Sequence, residues 1–143
     1  MKLNKKKVAS IGTLGVKSDT INLKLDNTTA DIITTNKLLF KLKSKKIENV
    51  ILEASSHGLE QKRLHGINFN TSIFTNLSRD HLDYHKNFEN YLNSKLILFK
   101  NLTKKKGNLI FDNDVKFSKI LKKIGKDKKL NLLNIGTNKS NFK

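Results

Sequence analysis

Apolar and polar positions along the chain switch between two periods, and the switches mark alternating strands and helices. Residues 7–14 (KVASIGTL) are a short apolar run closed by a glycine turn, the pattern of a buried strand. Residues 20–25 (TINLKL) alternate apolar and polar, as an edge strand does. The capping side chains of residues 27–31 (NTTAD) precede an apolar-periodic stretch, which predicts a helix to about Lys43. Residues 49–54 (NVILEA) form a continuous apolar strand ending in a carboxylate, followed by a polar segment, SSHGLEQKRLHG. A strand over 69–76 (FNTSIFTN) leads into a polar loop, LSRDHLDYH, and a helix from about Asn87 to Leu102. Residues 107–111 (GNLIF) predict a strand, Asp114 to Ile124 a helix, and Leu130 to Ile135 a last strand. Strands alternating with helices predict an α/β fold with a mainly parallel sheet flanked by helices. In such sheets the chemistry sits in the loops after the strands.

A length of 143 residues suits one domain. The absence of cysteine excludes a disulfide framework and a Cys-ligated zinc or iron–sulfur centre. The net charge of +17 is uneven. Residues 1–46 carry 11 Lys against 3 Asp, residues 47–99 carry 5 basic against 6 acidic side chains, and residues 100–143 carry 13 Lys against 3 Asp. The excess therefore belongs to the two ends. Only two of the basic residues are Arg (Arg63 and Arg79), and the aromatics are not interleaved with the lysine runs. Base and phosphate readers are usually richer in Arg, so a nucleic-acid partner is not expected and a lysine-rich solvated surface is. Lys and Asn codons are A-rich, and a coding bias suffices to explain the total. No stretch approaches the ~20 apolar residues of a membrane span. The start, Met1-Lys2-Leu3-Asn4-Lys5-Lys6-Lys7 before Val8 to Val16, mimics a signal peptide but has no convincing cleavage site, so no membrane partner and a cytoplasmic location are expected.

Four constellations carry candidate chemistry. Glu53-Ala54-Ser55-Ser56-His57 leaves the end of a buried strand, where a carboxylate can hold a hard cation such as Mg²⁺ and where a polar loop with an N-capping serine is equally natural. Asn76-Leu77-Ser78-Arg79-Asp80-His81-Leu82-Asp83-Tyr84-His85 is denser in polar chemistry than a solvated loop needs. It favours metal binding or phosphate chemistry, a His and Asp zinc site included, although no H-E-x-x-H spacing supports zinc. Lys95 lies on the same helical stripe as Phe88, Tyr91, Leu92, Leu96 and Phe99, either snorkelling to water or turned inward for chemistry. Gln61 and Arg63 belong to an exposed helical turn or form a grip for a carboxylate or phosphate. A G-x-x-x-x-G-K-[ST] loop does not occur, and Gly136-Thr137-Asn138-Lys139-Ser140 is a decoy that lacks the glycine before the lysine.

Together EASSHGLEQKR (53–63), FTNLSRDHLDYHKNFENYLNSK (74–95) and NTT (27–29) resemble the central domain of the Mur ligases, with less detailed resemblance from about Lys7 to Asn138. The members most similar in these stretches add the third amino acid to UDP-N-acetylmuramoyl-L-alanyl-D-glutamate. The resemblance implies a P-loop NTPase-like sheet and an ATP-dependent ligase of peptidoglycan synthesis that forms an amide through an acyl phosphate. It implies Mg²⁺ as cofactor and ATP as co-substrate. Glu53 and His81 match Mg²⁺ ligands, and Lys95 matches a lysine that becomes carbamylated and then holds Mg²⁺ as an anion. Asn27, Thr28, Thr29, Ser55, Gln61 and Arg63 match positions that bind the UDP-N-acetylmuramoyl dipeptide.

The departures from the family shape three expectations. The family's P-loop strand-turn-helix would precede Lys7, and uridine-binding and ligase domains would flank the central one. Residues 1–143 are therefore expected to be part of a central domain, inactive alone, with the remainder of the ligase on a longer or separate chain. Without the P-loop strand, exposed sheet edge and apolar surface predict marginal stability. A non-catalytic muramoyl-nucleotide binding module, or a subunit needing a P-loop partner, is the alternative.

Overall fold

The computed structural model describes residues 6–78 and 80–136. The chain divides into two compact units, Met1–His65 and Gly66–Lys143. Arg79 and the part of the decoy tract after Gly136 lie outside the described residues.

The first unit is built on β1 (Val8–Gly12) and β4 (Asn49–Leu52), which pair in parallel with Val8 opposite Asn49 and Ile11 opposite Leu52. On its other side β1 pairs antiparallel with β2 (Gly15–Lys17), and β2 with the two-residue β3 (Asn22–Leu23), giving the order β3-β2-β1-β4. The sequence pattern predicted one strand over 20–25 and none at 15–17. The turn after Gly12 folds the chain back at once, so the antiparallel partner of β1 is Gly15–Lys17 and only Asn22 and Leu23 extend the sheet. Helix α1 (Ile32–Ser44) makes the crossover. The cap expected within NTTAD is Asp31, whose carboxylate accepts from the Ile33 and Thr34 amides at 2.9 Å each. Hydrogen bonding to the ionised form, above all from Thr34, holds the Asp31 carboxyl below its usual value. Leu38 and Leu42 face Ala9, Ile11 and Val16, with Ile21, Leu25, Ile47 and Val50 packed around them.

A short helix, α2 (Ser56–Glu60), begins the polar segment that shows no periodicity in the sequence. Ser55 caps it by accepting from the Gly58 amide at 3.1 Å, which realises the capping role weighed for this serine.

The second unit holds three parallel strands in the order β5-β6-β7, namely β5 (Phe69–Phe74), β6 (Thr103–Asp112) and β7 (Asn131–Ile135). Between β5 and β6 lie α3 (Leu82–His85) and α4 (Phe88–Ile97), and α4 runs on through one π-helical turn, Leu98–Leu102. Asn87 caps α4 by accepting from the Asn90 amide at 2.8 Å. Helix α5 (Ser118–Asp127) begins four residues after the position the sequence pattern predicts, because residues 113–117 form a turn. The apolar stripe reaches the core as expected: Leu92, Leu96 and Phe99 pack with Phe74, Leu109, Phe111, Leu121, Ile124 and Leu130. The Phe74 and Phe99 rings meet at 5.9 Å between centroids. Among the described residues no helix is long and apolar enough to cross a membrane.

Candidate functional site

In the first unit, parallel pairing of β1 with β4 brings their C-terminal ends side by side. Glu53 continues the ladder, its amide donating to the Ile11 carbonyl at 2.8 Å. Its exposed side chain then folds back over β1. The Thr13 amide and the Thr13 hydroxyl both donate to Glu53 Oε2, at 2.9 Å each. Gly12 makes this possible, since a Cβ there would lie 2.5 Å from Oε2 and 2.9 Å from Glu53 Cβ. Among the described residues no hydrogen bond reaches Glu53 Oε1.

Thr29 is the hub behind this carboxylate. It is buried, at 2% exposure. Its hydroxyl donates to the Glu53 carbonyl at 2.9 Å and accepts from the Ser55 amide at 2.9 Å. Its carbonyl accepts from Arg63 Nη1 at 2.8 Å, and Arg63 Nε donates to Gln61 Oε1 at 2.9 Å. Gly58 passes so close that a Cβ there would sit 2.6 Å from Thr29 Cβ and Cγ2. Thr28 is half-buried and Asn27 exposed on the same turn. Thr28 Oγ1 lies 3.1 Å from Thr13 Oγ1. The structure thus gathers Thr28, Thr29, Glu53, Ser55, Gln61 and Arg63 into one bonded cluster, with Asn27 beside it.

In the second unit the loop after β5 leads to His81, which caps α3 in the left-handed region at φ 55° and ψ 25°. That region is sparsely occupied by residues with a side chain, and such backbone concentrates at functional sites. Its amide donates to Asp80 Oδ1 at 2.8 Å, and its Nε2 stands 3.6 Å from Asp80 Oδ2. Lys95, half-buried on α4, reaches the Asn76 carbonyl at 3.4 Å and lies over the Tyr91 ring at 5.3 Å from its centroid. Burial pushes the Lys95 ammonium below its usual value, and the negative charge of Asp80 opposes that fall. Burial also raises the Tyr91 phenol, helped by Asp80.

Tyr91 joins the other aromatics of the loop. The His81 ring meets it edge-on at 5.8 Å, and the buried His85 ring stacks on it at 5.1 Å. His85 therefore packs inward. Among the described residues no three carboxylates and imidazoles gather as a metal-holding group, so the zinc alternative for this loop has no support from geometry.

Thr13 and Gly12 join this candidate site, and the sequence reading passed over both. Their place at the C-terminal end of a buried strand, Gly12 its last residue and Thr13 the next, is the signal that could have found them.

Comparison with known proteins supplies a frame for these residues. The family described as Mur ligase middle domain matches residues 1–143. A UDP-N-acetylmuramoyl-L-alanyl-D-glutamate--2,6-diaminopimelate ligase of Rickettsia bellii is 40% identical over 136 residues, which is 92% of this chain and 29% of that protein. The UDP-N-acetylmuramyl-tripeptide synthetase 2 of Oceanobacillus iheyensis is 44% identical over 100 residues, 69% of this chain and 20% of that one. A solved structure of a UDP-N-acetylmuramoyl-L-alanyl-D-glutamate--2,6-diaminopimelate ligase superposes with a TM-score of 0.83 at 28% identity, covering 97% of this chain and 28% of its own. The chain thus spans less than a third of the length of these relatives.

Proposed function

Since the chain belongs to the Mur ligase middle-domain family, we propose that it supplies part of the working surface of an ATP-dependent ligase that adds the third amino acid to UDP-N-acetylmuramoyl-L-alanyl-D-glutamate in peptidoglycan synthesis. In that reaction ATP phosphorylates the substrate carboxylate, and an incoming amine displaces phosphate from the acyl phosphate to form an amide. The observation that carries the proposal is the bonded cluster of the first unit. It ties Glu53 through its main-chain carbonyl to Thr29, Ser55 and Arg63, and through its exposed carboxylate to Thr13 and Thr28. Asn27, Thr28, Thr29, Ser55, Gln61 and Arg63 are assigned to the UDP-N-acetylmuramoyl dipeptide.

Glu53, His81 and Lys95 are assigned to Mg²⁺, which when bound neutralises charge on the transferring phosphoryl group. Glu53 fits, because Oε1 is an oxygen donor with no hydrogen bond among the described residues and Mg²⁺ favours oxygen ligands. His81 offers an exposed imidazole. An ammonium repels a cation, so Lys95 can hold Mg²⁺ only after carbamylation. The neutral amine attacks the carbon of CO₂, an N–C bond forms, one C=O electron pair moves onto oxygen, and the proton leaves the nitrogen. Burial of Lys95 favours the neutral amine that this step needs. No G-x-x-x-x-G-K-[ST] loop occurs within the 143 residues, so the ATP phosphates are held by other residues of the ligase, on the same or a separate chain. A cytoplasmic location follows from the proposed substrate.

Titration of the isotope-labelled chain with UDP-N-acetylmuramoyl-L-alanyl-D-glutamate tests the assignment by NMR. Shifts centred on residues 27–29, 55 and 61–63, weakened by Arg63→Ala, are expected. Shifts elsewhere, or none at millimolar ligand, overturn it.

A further inference from the structure

We propose that Thr13 is a positioning residue that locks the Glu53 carboxylate in place and fixes the hydrogen-bonding polarity of Thr28, so that the ligand group meeting Thr28 is a donor. The inference deepens the proposed function, since its meaning for a ligand rests on the assignment of residues 27–29 to binding.

A glutamate on an exposed strand end samples many rotamers, and holding one costs entropy. Here two donors of one residue converge on one oxygen. The Thr13 amide and hydroxyl each stand 2.9 Å from Oε2. The flat surface of Gly12 lets the side chain lie against β1. Oε2 is thereby committed to Thr13, and among the described residues Oε1 takes no hydrogen bond.

Counting protons gives the second half. A threonine hydroxyl has one hydrogen and two lone pairs, and a carboxylate oxygen only accepts. The Thr13 hydrogen therefore belongs to Oε2. The 3.1 Å contact between Thr13 Oγ1 and Thr28 Oγ1 must then use the hydrogen of Thr28. The relay runs from Thr28 to Thr13 to Glu53, with every hydrogen directed at the carboxylate. Thr28 is left with lone pairs alone toward solvent. It receives an amide N–H or a sugar hydroxyl of a ligand and disfavours a phosphate or carboxylate oxygen.

Two NMR readouts on the ligand-free 143-residue chain test this. Three-bond couplings of Glu53 report its side-chain rotamer, and hydroxyl-proton cross-peaks report which way Thr28 donates. In the wild type and in Thr13→Ser, Glu53 is expected to hold one rotamer and the Thr28 hydroxyl proton to point at residue 13. In Thr13→Val, which keeps the shape and the amide but loses the hydroxyl, Glu53 is expected to average and the Thr28 proton to exchange freely. Amide spectra of the three proteins confirm a common fold. If Glu53 averages already in the wild type, if Thr13→Val leaves it fixed, or if the Thr28 proton points to solvent, the proposal is overturned. Neither readout uses a ligand, so a chain that fails to bind the muramoyl dipeptide refutes the proposed function without touching these results.

Discussion

Replacing Thr29 with valine swaps one hydroxyl for a methyl at nearly constant volume and should destabilise the first unit. The hydroxyl makes two bonds, to the Glu53 carbonyl and from the Ser55 amide, both at 2.9 Å and both partly buried. Thr29→Val leaves that carbonyl and that amide without a partner at a residue 2% exposed. An orphaned buried polar group costs about 1–3 kcal/mol. Two such groups with some access to water put the loss at roughly 2–4 kcal/mol. The chain has no tryptophan, and both tyrosines, Tyr84 and Tyr91, lie in the second unit, so intrinsic fluorescence is blind to the first. Amide hydrogen exchange at Ile11 and Ile51, whose amides face each other's strand in the β1–β4 ladder, followed by NMR across a urea series, reads the right unit. Thr29→Ser, which keeps the hydroxyl, should retain most of the stability. A loss below about 0.5 kcal/mol in Thr29→Val would mean that water or local rearrangement satisfies both groups, and the hub argument would fail.

Further expectations concern the second unit and the assembled reaction. Phe99→Ala empties a ring site 2% exposed and packed on Phe74, and should cost about 3–5 kcal/mol in denaturant unfolding; a loss under 1 kcal/mol contradicts the packing. Because burial holds Lys95 below its unfolded value of 10.5, the unfolded chain binds more protons there, and stability should rise with pH from the lowered value up to 10.5. Lys95→Met should therefore stabilise the chain near neutral pH and lose that advantage as pH approaches 10.5, and a pH-independent difference would refute the linkage. Carbon-13 bicarbonate should label wild-type Lys95 as a carbamate, with no signal in Lys95→Arg. The 143-residue chain alone, given ATP, Mg²⁺, the muramoyl dipeptide and an amino acid, should release no ADP; steady turnover would show that its own residues grip ATP.

The hydrophobic pattern was enough to set the order of the main strands and of α1, α4 and α5, because burial on one face imposes a period that survives in the sequence. It also placed Glu53 at the end of β4 and Lys95 on the apolar stripe of α4, since both follow from local spacing. The alternation over 20–25 found the edge strand that β3 realises in two residues, but the other short elements were illegible: β2, α2 and α3 are three to five residues long, too short to repeat a period. Their existence depends on pairing and capping, such as Ser55 on Gly58. The choice between alternatives needed tertiary contacts as well. Sequence offered Ser55 as an N-cap and the family resemblance offered it as a ligand contact; the fold shows the cap, with the Ser55 amide also donated to Thr29. Sequence put both histidines of residues 76–85 in one polar loop favouring metal or phosphate chemistry, and packing separates them by stacking His85 on Tyr91 in the core while His81 stays exposed beside Asp80. Thr13 lies 40 positions from Glu53 along the chain. Only the parallel register of β1 with β4 brings the two together, because a sheet joins residues by strand pairing and not by sequence distance.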